Sequence, residues 1–336
     1  MSLGTGRSAD CMSGGRPVED IVALDAYGVN PGDLSWEPFE RMGHLTVYDH
    51  CSPETIVERA GNASILLVDM CAISDDVLSR LPNLRYIGLF ATGHDQVDTE
   101  AARRRGIAVA NVPEYSTPSV AQMTFALLLN LTNHVAGYSD YVARGNWRAD
   151  REFRYIEGPL IELSGKTMGI LGVGQIGAAA ARIARAFGMQ VLAWSRRRKD
   201  VDGIEIEWVE LDEVFRRSDV VSLHLPLTAE TAGIVDARRL SLMKPGAFLV
   251  NTARGGLVVD EALAAALHEG RIAGAALDVL GPTEPPEPDN PLLSAPNCRI
   301  TPHVAWATRA ARERCLRTAA ENLESFLHGG SQNRIV

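Results

Sequence analysis

Short runs of apolar and β-branched residues alternate with helical patterns along almost the whole chain. That alternation predicts a parallel α/β architecture, in which strands are buried on both faces and joined by helical crossovers. In the first half, the runs at 21–24, 45–48, 65–68, 86–90 and 107–110 predict strands, with helical segments such as 53–60 and 98–105 between them. These elements complete one small doubly wound unit. A helical pattern then runs from Pro118 to about Arg144, with Val120, Phe125, Leu128, Leu129 and Val135 on one apolar face. It exceeds the mean helix by more than about twofold, and predicts a connector between domains that also packs on a second copy of the chain. Residues 147–162 have mixed polarity and three aromatics, and predict an extended arm. A second α/β unit begins after Leu163, with a strand at 168–171, a helix at 175–187 and a strand at 190–194. Further strands are expected at 219–223, 247–251 and 274–277, and a last helix at about 307–328. No repeat of fixed period is present.

Composition narrows the class. A chain of 336 residues is long enough for two domains, because single cores seldom grow past about 250 to 300 residues. A formal charge of −9 argues against nucleic acid as a main partner, since phosphate binding needs a basic footprint. Local basic runs at 103–105 and 196–199 stand against that background; the first reads as a solvated helix end. Five cysteines, odd in number and without CxxC spacing, predict neither a disulfide framework nor a zinc ribbon, and suggest a reducing compartment. No apolar run reaches the roughly 18 residues that would span a bilayer. Residues 1–16 are small and polar without an apolar signal core, and read as a disordered leader of a cytoplasmic protein. Without HExxH or a paired His/carboxylate cluster, metal catalysis is not expected.

GVGQIG, at Gly172 to Gly177, follows the apolar run TMGIL and opens a helical pattern. This strand-turn-helix context is what a dinucleotide site requires. Gly172 allows the tight turn, Gly174 lets the backbone approach a pyrophosphate, and Gly177 lets helix and strand pack closely. Gln175 and Ile176 lie within the same loop, at the helix N-terminus that faces the anion. About 20 residues on, an acid would bind the adenine ribose of NAD. This chain instead has Ser195 followed by Arg196, Arg197, Arg198 and Lys199. Loss of the acid removes repulsion toward a 2′-phosphate, and guanidinium groups attract it. NADP is therefore the expected cofactor, with NAD as the alternative.

Between Leu249 and Thr308, Arg254, Asp278, Glu284 and His303 fall at the ends of short apolar runs. In an open α/β sheet, the carboxyl ends of parallel strands are where ligands bind. Those residue types suit hydride transfer to a 2-oxo acid: a cation for the carboxylate, a His to move a proton, and acids to tune the His and orient a cofactor.

Taken with LSWEPFERMG (34–43), LFATGHDQVD (89–98), NVPEYSTPSVAQ (111–122), SLHLPLT (222–228), NTARGG (251–256), LDVL (277–280) and TPHVAWAT (301–308), the chain resembles the D-2-hydroxyacid dehydrogenases. The TPHVAWAT and LSWEP strings point to the branch of hydroxypyruvate and glyoxylate reductases, the glycerate dehydrogenases. The resemblance implies a substrate domain split in sequence, 17–117 with 303–336, around a cofactor domain at 118–302 that also dimerises the chain. It implies an active cleft between the domains. Arg254 matches the residue that holds the substrate carboxylate, His303 the general acid that protonates the 2-oxo oxygen, and Glu284 its carboxylate partner. Asp278 matches the residue that hydrogen-bonds the nicotinamide carboxamide. Leu225, Pro226, Thr231, Thr252, Ala253, Ala305 and His303 itself match cofactor-lining positions. Ala91, Thr92 and Gly93 match a loop whose N–H groups grip the carboxylate, whereas His94 and His224 read as structural. Two departures stand out. Glu284 lies one residue further from Asp278 than the usual spacing, the extra residue falling at 281–283, so Glu287 is an alternative partner for His303. Met70 stands where relatives in this branch often carry a Lys beside the substrate. A nucleotide-sensing corepressor or a phosphite dehydrogenase on the same fold are the competing readings, while Glu284 in place of Gln counts against a formate enzyme.

Overall fold

The computed structural model describes residues 19–149, 159–198, 200–281 and 283–336. The expected leader, the middle of the expected arm, Lys199 and Pro282 lie outside the described residues. The chain divides into two compact units, one running up to Pro113 and resumed at Glu313–Val336, the other Glu114–Arg312. Against expected boundaries at 117 and 303, the second unit thus holds Arg254 and His303 together.

In the first unit the order is β1 (Glu19–Leu24), α1 (Glu37–Glu40), β2 (Gly43–Tyr48), α2 (Ile56–Ala60), β3 (Ile65–Val68), α3 (Asp75–Ser79), β4 (Tyr86–Leu89), α4 (Thr99–Arg104) and β5 (Ala108–Ala110). The five strands pair in parallel in the order β2-β1-β3-β4-β5. Every residue of β3 and β4 is buried, which is why these strands read as continuous apolar runs rather than alternating ones. Ser74 and Asp98 cap α3 and α4 by accepting bonds from Val77 N and Ala101 N, each cap worth about 1 kcal/mol. The C-terminal segment joins this unit: Ile335 N donates to Val109 O at 2.7 Å.

The second unit begins with α5 (Thr117–Asn133), α6 (Val135–Ala143) and α7 (Asn146–Ala149). Its sheet and crossovers then follow as β6 (Thr167–Leu171), α8 (Gln175–Ala186), β7 (Gln190–Trp194), β8 (Glu207–Trp208), α9 (Leu211–Arg217), β9 (Val220–Leu223) and α10 (Ala237–Leu242). They continue through β10 (Phe248–Asn251), α11 (Asp260–His268), β11 (Gly274–Leu277) and β12 (Cys298–Ile300) to α12 (Arg309–Leu327), whose residues from Glu313 onward belong to the first unit. The parallel sheet runs β12-β11-β10-β9-β6-β7-β8. Its order reverses between β6 and β9, the switch point at which open α/β sheets bind ligands. Among the described residues no helix is long and apolar enough to cross a membrane.

The single helix expected over 118–144 is corrected to two. His134 takes a left-handed conformation (φ 51), and its N–H closes the last turn of α5 on Asn130 O. A left-handed residue ends a helix, and Thr132 O is drawn to Ile161 N at 3.0 Å instead of continuing the ladder. The start of the expected extended arm is also helical, as α7.

Candidate active site

The phosphate loop stands at the switch point, between β6 and α8. Gly172 is left-handed (φ +94), and a Cβ there would meet His224 O at 2.6 Å. Only glycine suits that turn. At Gly174 an added Cβ would meet nothing within 4 Å, so the loop's outer side is open to a ligand. The N-terminus of α8 has no side-chain cap; its first N–H groups and the positive end of the helix dipole await an anion. A Cβ on Gly177, by contrast, would strike Gly172 O. These are the features a dinucleotide pyrophosphate needs. Ile176 is half-buried behind the loop, and Gln175 Nε2 donates to Glu114 Oε1 at 2.9 Å.

Ser195 follows β7 and is half-buried, while Arg196, Arg197 and Arg198 are exposed. Arg198 pairs with Glu210 at 3.7 Å. The Thr228 hydroxyl hydrogen bond holds the Glu230 carboxyl low, and the charge of Arg196 adds to that effect. Two guanidinium groups of the run therefore already feel carboxylates. After β9, Leu225 is buried and Pro226 exposed, with Thr231 Oγ1 donating to Pro226 O at 2.6 Å. His224 bonds Ser222 through its ring at 2.9 Å, and desolvation pushes its pKa down to about 4.

The carboxyl ends of β10, β11 and β12 carry the remaining groups. Asn251 ends β10 and shapes the next turn: Oδ1 accepts from Ala253 N and Nδ2 donates to Arg254 O. Sequence reading passed over Asn251, although a buried polar residue ending an apolar run was its signal. Thr252 is tied to Thr124 of α5 through their hydroxyls at 3.0 Å. Arg254 is half-buried, and its Nη1 donates to Ala253 O at 2.9 Å.

Asp278 at the end of β11 is buried. Its Oδ1 accepts from Thr301 Oγ1 at 2.5 Å and Val304 N at 3.0 Å, and its Oδ2 from Ala305 N at 2.8 Å. Burial raises its carboxyl above the usual range in spite of these bonds. The main-chain oxygen of Asp278 takes His303 N at 2.7 Å. Together these bonds fix His303 in a left-handed conformation (φ 52), one a non-glycine residue adopts only where its surroundings impose it. Thr301 is a second residue the sequence reading missed.

His303 Nδ1 lies 2.5 Å from Glu284 Oε2. Glu284 Oε1 accepts from Leu280 N at 3.0 Å. Burial alone would raise the Glu284 carboxyl, but the His303 bond and charge, the Leu280 N–H and the charge of Arg254 outweigh it and hold it below the usual range. The structure thus brings Arg254, Glu284 and His303 together. Glu287, the alternative partner, accepts Asn290 N through its main chain, and the carboxylate that meets the His303 ring is that of Glu284.

Within the first unit, Met70 lies past the end of β3 and is 57% exposed. Ala91, Thr92 and Gly93 follow the adjacent β4. Thr92 Oγ1 donates to Val112 O and Val112 N to Ala91 O, which pins this loop, and Gln96 Nε2 ties it to Asp69 O at 3.1 Å. His94 is exposed.

A family model described as "D-isomer specific 2-hydroxyacid dehydrogenase, NAD binding domain" matches residues 125–305, all within the second unit. A hydroxypyruvate reductase of Blautia hydrogenotrophica is 43% identical over 317 residues, 93% of this chain and 98% of that protein. The NADPH-dependent glyoxylate/hydroxypyruvate reductase of Sinorhizobium meliloti, solved with NADP and malonate, is 29% identical with a TM-score of 0.80, covering 95% of this chain and 97% of that one. The D-lactate dehydrogenase of Aquifex aeolicus, solved with NAD and lactic acid, is 29% identical with a TM-score of 0.83, covering 94% and 99%.

Proposed function

This chain belongs to the D-isomer-specific 2-hydroxyacid dehydrogenase family, a family of nicotinamide-dependent oxidoreductases, and from that premise we propose that it reduces a small 2-oxo acid of the glyoxylate or hydroxypyruvate type to the D-2-hydroxy acid. NADPH is the preferred cofactor, NADH the lesser one, and the working form is a homodimer in the cytoplasm. The observation that carries the reading is the 2.5 Å contact of His303 Nδ1 with Glu284 Oε2, on a carboxylate that also feels Arg254.

The residues divide the work as follows. Gly172, Gly174, Gln175, Ile176 and Gly177 hold the pyrophosphate, and Ser195, Arg196 and Arg197 hold the adenine ribose and its 2′-phosphate. Leu225, Pro226, Thr231, Thr252, Ala253 and Ala305 line the path of the cofactor. When bound, the nicotinamide supplies the hydride. Arg254 holds the substrate carboxylate and stabilises the negative charge that develops on the 2-oxo oxygen. Glu284 occupies His303 Nδ1, which leaves Nε2 to deliver the proton to that oxygen. Asp278 fixes the turn that aims His303, and its carboxylate would accept a hydrogen bond from the nicotinamide carboxamide. The N–H groups of Ala91, Thr92 and Gly93 grip the carboxylate, and Met70 borders the substrate.

The test is a panel of 2-oxo acids assayed with both cofactors, beside the His303→Ala variant. Turnover of glyoxylate or hydroxypyruvate is expected, falling about 10²- to 10⁴-fold in the variant with cofactor affinity retained. Cofactor binding without turnover of any 2-oxo acid would favour a nucleotide sensor instead.

A further inference from the structure

A carboxylate outside the proposed machinery is buried close to it. Asp260 opens α11 and is only 8% exposed. An acid in the first turn of a helix suits the helix dipole, but it can do so from solvent, without the cost of burial. Inside, Asp260 gains a partner from another loop: its Oδ2 accepts from Asn290 Nδ2 at 2.8 Å. Asn290 Nδ2 also donates to Gly281 O at 3.3 Å. Its Oδ1 accepts from Leu292 N at 3.0 Å, which caps the short helical turn at Pro291–Ser294, and its N–H closes on Glu287 O at 3.0 Å. These bonds gather the two ends of the loop that carries Glu284. At its start, Leu280 is fixed by the Arg254 turn. A Cβ on Gly255 would lie 1.9 Å from Leu280 C and O, so only glycine lets the two backbones pack. The Glu284 carboxylate accepts Leu280 N through Oε1 and meets His303 Nδ1 through Oε2. From Gly281 onward the loop leaves that support, and Asn290 draws its far end back onto Gly281 O and onto α11.

We propose that Asp260 and Asn290 are positioning residues for the reaction: together they clamp the 280–290 loop to α11 and so hold the Glu284 carboxylate on His303. They act through Glu284 rather than on the reacting atoms. Burial raises the Asp260 carboxyl above the usual carboxylate range, against the bond from Asn290. Removing either partner therefore leaves the other buried without its hydrogen bond, and the loop is free to move off α11. The contact it supports is a 2.5 Å one, and a displacement of about 1 Å at such a contact can cost on the order of 10²-fold in rate. The effect on turnover rests on the 2-oxo acid reading; the effect on the contact between Glu284 and His303 does not.

Two variants of the full chain separate the clamp from the fold. Asp260→Ala removes the acceptor. Asn290→Ser removes both Nδ2 bonds, while its hydroxyl can still cap the Pro291–Ser294 turn. Each should lower kcat for glyoxylate or hydroxypyruvate by roughly 10- to 100-fold, with the Kd for NADPH little changed. In a Glu284→Gln background either substitution should add almost nothing, because its effect passes through that carboxylate. The proton between His303 Nδ1 and Glu284 Oε2 gives a second readout that needs no turnover. It should appear as a downfield ring N–H resonance in the proton NMR spectrum, assigned by its change in Glu284→Gln. That resonance should be lost or moved upfield in both Asp260→Ala and Asn290→Ser. Losses in kcat that multiply independently with that of Glu284→Gln, or a ring resonance unmoved in the two variants, would overturn the proposal. Loss of NADPH binding together with turnover would assign the pair to the fold as a whole, and would overturn it equally. A parent that turns over no 2-oxo acid would count against the functional reading, and the ring resonance would then decide the clamp alone.

Discussion

At the scale of single residues, Glu284 is the one whose electrostatics are best defined. Its folded pKa lies below the ordinary glutamate value because His303, Leu280 N and Arg254 outweigh the cost of burial. A depressed folded pKa contributes stability that is fully present above the ordinary value and is lost as pH falls through the folded one. Glu284→Gln should therefore lower stability near neutral pH by on the order of 1 kcal/mol. The gap between parent and variant should close in acid, as read by thermal unfolding across pH. A gap independent of pH would sink the pairing. Met70 makes a different argument. An exposed thioether fills space but offers no charge to a second anionic group. Met70→Lys should shift preference from arylpyruvates toward hydroxypyruvate and glyoxylate in kcat/KM, and an unchanged ranking would remove Met70 from the selectivity determinants.

The element scale separates what the sequence disclosed from what it could not. Strands β3, β4, β6, β7, β9, β10 and β11 each contain a short, mostly apolar run, and that run located each of them. Strands β8 and β12 were not legible, because Glu207–Trp208 and Cys298–Ile300 carry charged residues at the sheet's edges and make no apolar run. The break at His134 was equally hidden: the apolar face continues into α6, and only the backbone rotation at one residue divides the helix. Motif residues such as His303 and Arg254 were readable, but the contacts that aim them were not. The bonds from Asn251 to the Arg254 turn, and from Asp278 to Thr301, Val304 and Ala305, join residues whose pairing depends on neighbouring strand ends. The loop after β7 belongs to this scale too. Ser195 can bond a 2′-phosphate, and Arg196 or Arg197 can pair with it, in competition with Glu230, which already feels Arg196. Parent kcat/KM should favour NADPH by roughly tenfold or more, and Arg196→Ala with Arg197→Ala should erase that advantage while sparing NADH. Equal efficiency with NADH in the parent would refute the preference.

At the scale of the whole molecule, apolar surface marks the segment that the sequence assigned to dimerisation. Val135 and Val142 on α6, Trp147 on α7 and Leu160 are 64%, 47%, 55% and 56% exposed. Val135 and Val142 are seven residues apart, two turns of one helix, and so share a face. Isolated exposed hydrophobics are ordinary, but several within one short stretch mark an interaction surface. The occupant we propose is a second copy of this chain, because a closed two-fold pair buries the same patch on both partners. A stable pair of this kind buries on the order of 1,600 Å² or more, and replacing apolar anchors at its centre with carboxylates would place like charges against each other across the axis. Light scattering on the parent should therefore return twice the 36.3 kDa chain mass at micromolar concentration. Val142→Glu combined with Trp147→Glu should return a single chain that still binds NADPH, since the phosphate loop at Gly172–Gly177 lies outside the altered segment. A parent of single-chain mass, or a double variant that remains paired, would refute the assignment of this surface.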